Sequence, residues 1–207
     1  MHNVDANGAT IPAIVLGTWT LTGATASRLI AESIAAGYRH IDTAAMYDNE
    51  EAVGAGLRAG GVDRSKIFLT RKVWPSDVAA GDLQRSVEAS LTRLGTDLDL
   101  IHWPSQTIPL AESIGALNEV RERGLARHIG VSNFTVALVD EAVALSPHPL
   151  ACNQIEYHPY LAQDRVIAAC RRHGMAVVSY CPLARGAELF AEPAIAAAAR
   201  RHDRAPA

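Results

Sequence analysis

The 207-residue chain is expected to be an α/β protein, a (β/α)8 barrel of the TIM type with about seven βα units present. Three observations lead there. Short β-rich runs alternate with longer helical patterns along the whole chain, repeating every 24 to 31 residues or so. The runs are apolar on both faces, as in Ile67-Phe68-Leu69 and Leu98-Asp99-Leu100-Ile101, which suits parallel strands covered by helices. Polar or ionisable residues stand just past several of these runs, and a barrel of parallel strands gathers such positions at one mouth. The competing doubly wound sheet calls for G-x-G-x-x-G after the first strand. That strand instead ends Leu16-Gly17-Thr18-Trp19, and Gly54-x-Gly56 lies within a helical pattern.

Asn7-Gly8 between two short runs predicts a hairpin at the start. Seven strands then begin near Ile14, Tyr38, Ile67, Leu98, Arg127, Cys152 and Ala176. Helical spacing of apolar residues fills the intervals: Leu29, Ile30 and Ile34 closed by Gly37; Leu83, Val87, Leu91 and Leu94 closed by Gly95; Leu110, Ile114, Leu117 and Val120 ending near Gly124. Further helices are expected over about 135–145, 163–173 and 192–202. No low-complexity stretch or charge block divides the chain, so one domain spans 1–207.

Composition excludes several roles. The net charge is −3 with both signs interleaved, so no basic stripe argues for nucleic acid or an anionic membrane. No apolar run approaches the roughly 18 residues of a membrane span, and the first residues lack an export signal. Cys152, Cys170 and Cys181 are odd in number and form no C-x-x-C pair, which points to free thiols in a reducing compartment, the cytoplasm by default.

Four patches carry the chemistry: Asp42-Thr-Ala-Ala-Met-Tyr47, Thr70-Arg-Lys72-Val-Trp74, Leu100-Ile-His102-Trp103-Pro104 and Gly130-Val-Ser132-Asn133-Phe134. Reduction of a carbonyl pushes charge onto its oxygen, and a placed acid lowers the barrier by donating a proton there. Tyr47 is the candidate acid. A free phenol has a pKa near 10, so nearby cations, Lys72 or a protonated His102, would have to stabilise its phenolate. Asp42 could pair with Lys72, since an unpaired buried ammonium is costly. Taken singly, each has an ordinary role: a capping aspartate, a half-buried tyrosine, a solvated lysine, a satisfied histidine. Their shared position, at the same end of three consecutive strands and in the loop after one of them that carries Tyr47, is what unites them. Trp19, Trp74 and Trp103 follow strands as well, where a large aromatic serves as pocket wall or as core. Asn153-Gln154-Ile155-Glu156 and Ser179-Tyr180-Cys181-Pro182-Leu183 add amides, a hydroxyl and an aromatic ring after the sixth and seventh strands, groups suited to an amide-bearing ring.

In order, D-T-A-x-x-Y followed by N-E, K-V-W, L-I-H-W-P, G-V-S-N-F, N-Q-I-E-Y-H-P and Y-C-P-L-A-R-G resemble the aldo-keto reductases from about Ala9 onward. The short Pro104–Leu110 connection is most similar to small bacterial members related to 2,5-diketo-D-gluconate reductases. The resemblance implies a (β/α)8 barrel that reduces aldehydes or ketones of small molecules with NADPH and no metal. It implies Asp42, Tyr47, Lys72 and His102 as the catalytic set, with Tyr47 the proton donor. Ser132, Asn133 and Gln154 would bind the nicotinamide carboxamide and Tyr180 would stack on the ring. The segment from Cys181 through Leu183 and Arg185 to Gly186 would pass the pyrophosphate, while Trp19, Trp74, Trp103 and Phe134 would line the substrate pocket.

Family members continue to an eighth strand, its helix and a segment similar to K-S or K-R followed by R-x-x-E-N that holds the adenosine 2′-phosphate. This sequence ends at Arg204-Ala-Pro-Ala207, so it is expected to be truncated, with a complete form acting as a monomer. Hydrogen bonds to charged groups contribute about 1.5–3 kcal/mol each, so losing two or three would weaken NADPH by roughly two to six powers of ten. An alternative is therefore a non-catalytic fragment or cofactor-binding module of the same family. Another is a barrel aldolase with Lys72 as Schiff-base nucleophile.

Overall fold

The computed structural model describes residues 2–94 and 97–206. It opens on an antiparallel hairpin, β1 (Asn3–Ala6) and β2 (Ala9–Pro12). Asn7 and Gly8 both take positive φ, 46° and 83°, as the Asn-Gly turn requires. Among the described residues seven parallel strands follow in strict sequence order: β3 (Leu16–Gly17), β4 (His40–Asp42), β5 (Phe68–Val73), β6 (Leu98–Ile101), β7 (His128–Ser132), β8 (Leu150–Glu156) and β9 (Ala176–Tyr180). Between and after them run α1 (Gly23–Ala35), α2 (Glu50–Ala59), α3 (Asp82–Leu94), α4 (Leu110–Glu122), α5 (Val136–Leu145), α6 (Asp164–Arg172), α7 (Ala187–Ala191) and α8 (Pro193–His202).

The sheet is curled. In a flat sheet β4 and β8, four places apart, would stand about 19 Å from one another. Here Gln154 of β8 donates to Asp42 of β4 at 2.8 Å. Sequential parallel strands, each covered by helices, wrapped until opposite strands touch, make a (β/α)8-class barrel with seven βα units. The seven strand starts fall within two residues of their expected places. Two helical features were not bounded in the sequence: α2, and the short α7, which Pro193 separates from α8. Gly95, expected to close the third helix, lies outside the described residues.

Packing follows the apolar pattern. The larger core sits between strands and helices, with Val73, Ile101, Ile129 and Val131 facing Val87, Ile114, Leu117 and Val139. The hairpin plugs the far end: Ala9 and Ile11 pack on Leu98, Leu100 and Cys152, and the Asn7 amide donates to the carbonyls of Leu150 and His173. Edge position tells on β9, half-buried along its length, whereas β6 is buried throughout. Among the described residues no helix is long and apolar enough to cross a membrane.

Charge also enters the layer between sheet and helices. Arg71 on β5 and Asp99 on β6 are both fully buried and lie 3.6 Å apart, and Glu50 at the start of α2 lies 3.5 Å from Arg71. Burial lifts the Asp99 carboxyl to about 6, with Arg71 pulling the other way.

Several glycines mark close approaches, Gly56 and Gly130 among them. A Cβ on Gly56 would stand 2.7 Å from the Ile30 Cβ, so Gly56 lets α2 lie against α1. On Gly130 a Cβ would meet the Cys152 carbonyl oxygen and Leu100 Cδ2, each at 2.8 Å, beside the register shift between β7 and β8. Gly130→Ala is expected to cost about 1–3 kcal/mol by overpacking. Denaturant unfolding checks this, and an unchanged midpoint would show that the strands separate freely there.

Candidate active site

The charged and polar groups of interest gather at the carboxyl ends of the strands and in the loops that follow them. Asp42 is the last residue of β4, Lys72 the last but one of β5, and Ser132 and Tyr180 the last of β7 and β9. His102 directly follows β6, its amide bonded to the Val73 carbonyl at 2.9 Å. Tyr47 comes from the loop after β4, at the end of a single 3₁₀ turn over Ala45–Tyr47 that Asp48 closes with φ 51°. These ends surround a cavity of about 580 Å³, within the range of small-molecule sites.

Asp42 and Lys72 form the floor. Lys72 Nζ lies 2.5 Å from Asp42 Oδ1, and both residues are buried, Lys72 completely. The same ammonium sits 5.4 Å from the centre of the Tyr47 ring. His102 completes the group, its ring edge-on to Tyr47 at 5.9 Å and to Trp74 at 5.2 Å. Among the described residues its buried Nδ1 has no hydrogen-bond partner, which leaves Nε2 to meet a ligand. Lys72 lies beneath the cavity and does not line it, an arrangement that suits an electrostatic support and disfavours a Schiff-base nucleophile.

Electrostatics correct two expectations. A protonated His102 is not the cation beside Tyr47: burial first, then the Lys72 charge, lowers its pKa from 6.5 to about 4, so the ring is neutral near pH 7. The Tyr47 hydroxyl is not acidified either. Burial first, then the charge of Asp42, pushes it well above its ordinary 10. Tyr47 therefore keeps its proton near neutral pH. Because the folded protein holds His102 neutral while the unfolded chain protonates it near 6.5, stability from this group is full above that pH and is lost as pH falls toward 4. His102→Gln should unfold at a midpoint that falls less than that of the unsubstituted protein between those limits. Parallel thermal melts measure the difference, and identical slopes would place His102 in water.

The amides form a connected row. Ser132 Oγ donates to the Gln154 carbonyl at 2.9 Å, and Asn133, at φ 63°, donates through Nδ2 to the His102 carbonyl at 3.0 Å and to Ser132 Oγ at 3.1 Å. Tyr180 donates its hydroxyl to Asn133 Oδ1 at 2.8 Å. Asn133, Gln154, Tyr180, Cys181 and Arg185 line the cavity. Ser132 is buried behind it, Leu183 is half exposed outside it, and Gly186 lies off it.

Trp19, Trp74 and Trp103 form the rim, all partly exposed. Arg185 lies 5.7 Å from the Trp19 ring, joining the loops that follow the two edge strands. Phe134 departs from expectation. It is 1% exposed, packs in the strand–helix core and borders a separate small apolar pocket with Ile101 and Leu138, because the residue after Asn133 turns inward.

Sequence reasoning gave no individual role to Met46 and Glu156, which line the cavity, or to Asn49. Asn49 is buried. Its amide donates to the carbonyls of Thr18 and Leu21, both at 2.9 Å, and accepts from Thr43 Oγ1 at 3.1 Å. It thereby staples the Tyr47 loop to the Trp19 loop. An asparagine next to the helix-starting Glu50 was the available signal.

A family model described as Aldo/keto reductase family matches residues 13–202. The methylglyoxal reductase DkgB of Escherichia coli O157:H7 is 40% identical over 203 residues, 95% of this chain and 76% of that protein. Among solved structures, one described as a 2,5-diketo-D-gluconic acid reductase B superposes with a TM-score of 0.96 at 44% identity, covering 100% of this chain and 74% of that one. A Bombyx mori aldo-keto reductase in complex with NADP gives 0.90 at 32% identity, covering 99% of this chain and 77% of its own.

Proposed function

This chain belongs to the Aldo/keto reductase family of NADP-dependent oxidoreductases, and from that premise we propose that it reduces aldehyde or ketone groups of small molecules to alcohols, with NADPH as hydride source and Tyr47 as proton donor. The observation that carries the reading is the cluster of Asp42, Lys72, Tyr47 and His102 at one cavity floor.

The residues fit an amide-bearing ring. Gln154 Oε1 has no partner among the described residues, and Asn133 Oδ1 accepts only the Tyr180 hydroxyl, leaving one acceptor site free. Two acceptors in a half-enclosed cavity can receive the two hydrogens of a carboxamide, with the Tyr180 ring as a wall. When bound, NADPH supplies the hydride. The chain supplies the rest. His102 Nε2 and the Tyr47 hydroxyl can both donate to a carbonyl oxygen, which orients it and stabilises the charge that develops there. Proton transfer from Tyr47 remains downhill despite its raised pKa, because an alkoxide is a stronger base than a phenolate. Lys72, held by Asp42, then offsets the phenolate charge. The tryptophan rim excludes water and gives an apolar wall for the substrate body.

The relatives' names suggest the first substrates: methylglyoxal, and 2,5-diketo-D-gluconate. Purified protein should consume NADPH with one of these or with a simple aldehyde. Binding of NADPH without turnover of any carbonyl would make the chain a cofactor-binding module instead.

A further inference from the structure

We infer that Gln154 is a positioning residue for the proton donor: its amide nitrogen holds the second oxygen of Asp42 and so fixes Lys72 beneath the Tyr47 ring. Asp42 presents two oxygens. Oδ1 takes the Lys72 ammonium at 2.5 Å, and Oδ2 takes Gln154 Nε2 at 2.8 Å. A carboxylate only accepts hydrogen bonds, so the NH2 end of Gln154 is bound to face Asp42 and its carbonyl end to face the cavity. Asp42 is 8% and Gln154 5% exposed, leaving little room for a water to replace the contact. The bond spans the barrel, joining residues 112 apart in sequence on opposite strands. Without it Asp42 is free to rotate, and Lys72 with it.

The contact also couples the floor to the cavity. Behind the side chain, the Gln154 backbone carbonyl accepts from Ser132 Oγ at 2.9 Å and from the Asn133 backbone N–H at 2.8 Å. A donor bound at Gln154 Oε1 polarises the amide and strengthens the bond to Asp42. Occupancy of the cavity then tightens the Asp42–Lys72 pair. This rests on the reductase reading for its consequence, whereas the contact itself can be tested in the ligand-free protein.

Gln154→Glu provides that test. The introduced carboxyl donates to Asp42 only while it carries a proton, and once ionised it opposes Asp42 as a like charge. Its pKa in the folded state is therefore raised, and its contribution to stability is lost as pH rises. The melting temperature of Gln154→Glu, relative to the unsubstituted protein, should fall between about pH 5 and pH 8. In an Asp42→Asn background, where the new amide can donate to the introduced carboxylate, that fall should vanish. A fall that persists in this background, or none in Gln154→Glu itself, overturns the inference. In turnover, Gln154→Met should lower kcat by about 10²-fold through misplacement of the pair, with KM for the carbonyl changed by less than about threefold. Unchanged kcat also overturns it. A protein that reduces no carbonyl yet shows the predicted melting pattern would remove the proposed function and keep the positioning role of Gln154.

Discussion

Tyr47→Phe is expected to lower kcat for carbonyl reduction by about 10²- to 10⁴-fold, the usual contribution of a placed general acid. The substitution removes one oxygen from a half-buried ring and leaves its edge contact with His102, so KM should change little and the fold should persist. The raised pKa of Tyr47 adds a second expectation. Since burial and the Asp42 charge keep the phenol protonated, kcat should show no alkaline loss from this group until well above pH 10. Steady-state NADPH oxidation by both proteins across that range measures both effects. Full activity in Tyr47→Phe would mean that another group, His102 being nearest, delivers the proton.

Lys72→Met should weaken the protein as well as inactivate it. Removing the ammonium leaves the Asp42 carboxylate buried with the Gln154 amide as its remaining donor, and breaking a buried ion pair costs about 3–5 kcal/mol. That is a large share of the roughly 5–15 kcal/mol that holds a domain together. Adding Asp42→Asn should return much of the loss, because the pair is then replaced by two neutral side chains. Denaturant midpoints for the two single variants and the double variant give the coupling. A loss below about 1 kcal/mol in Lys72→Met would show that the pair behaves as a solvated surface bridge.

Particular residues show where sequence reasoning succeeds. The Asn-Gly hairpin, the strand starts and the placing of Asp42, Lys72, His102, Ser132 and Tyr180 at strand ends were all legible, since each depends on a short stretch of chain. Tyr47 was legible as a loop residue for the same reason. Phe134 was misread because its neighbour Asn133 takes a left-handed backbone, at φ 63°, and the chain turns into the core. Sequence analysis gave no role to Arg71, which is buried. Only the register of β5 against β6 brings it to Asp99 and leaves Lys72 on the opposite face.

Local residue order thus dictates alternation, strand ends and the inventory of groups at the mouth, because side-chain direction in a strand follows its two-residue period and apolar spacing follows the helical turn. The charge states and partners of those groups belong to the closed barrel. His102 is neutral because burial and Lys72 surround it, and Gln154 can face only one way because curvature carries β8 across to Asp42. Desolvation and contact between distant strands exist only once the sheet has curled, so no window of sequence contains them.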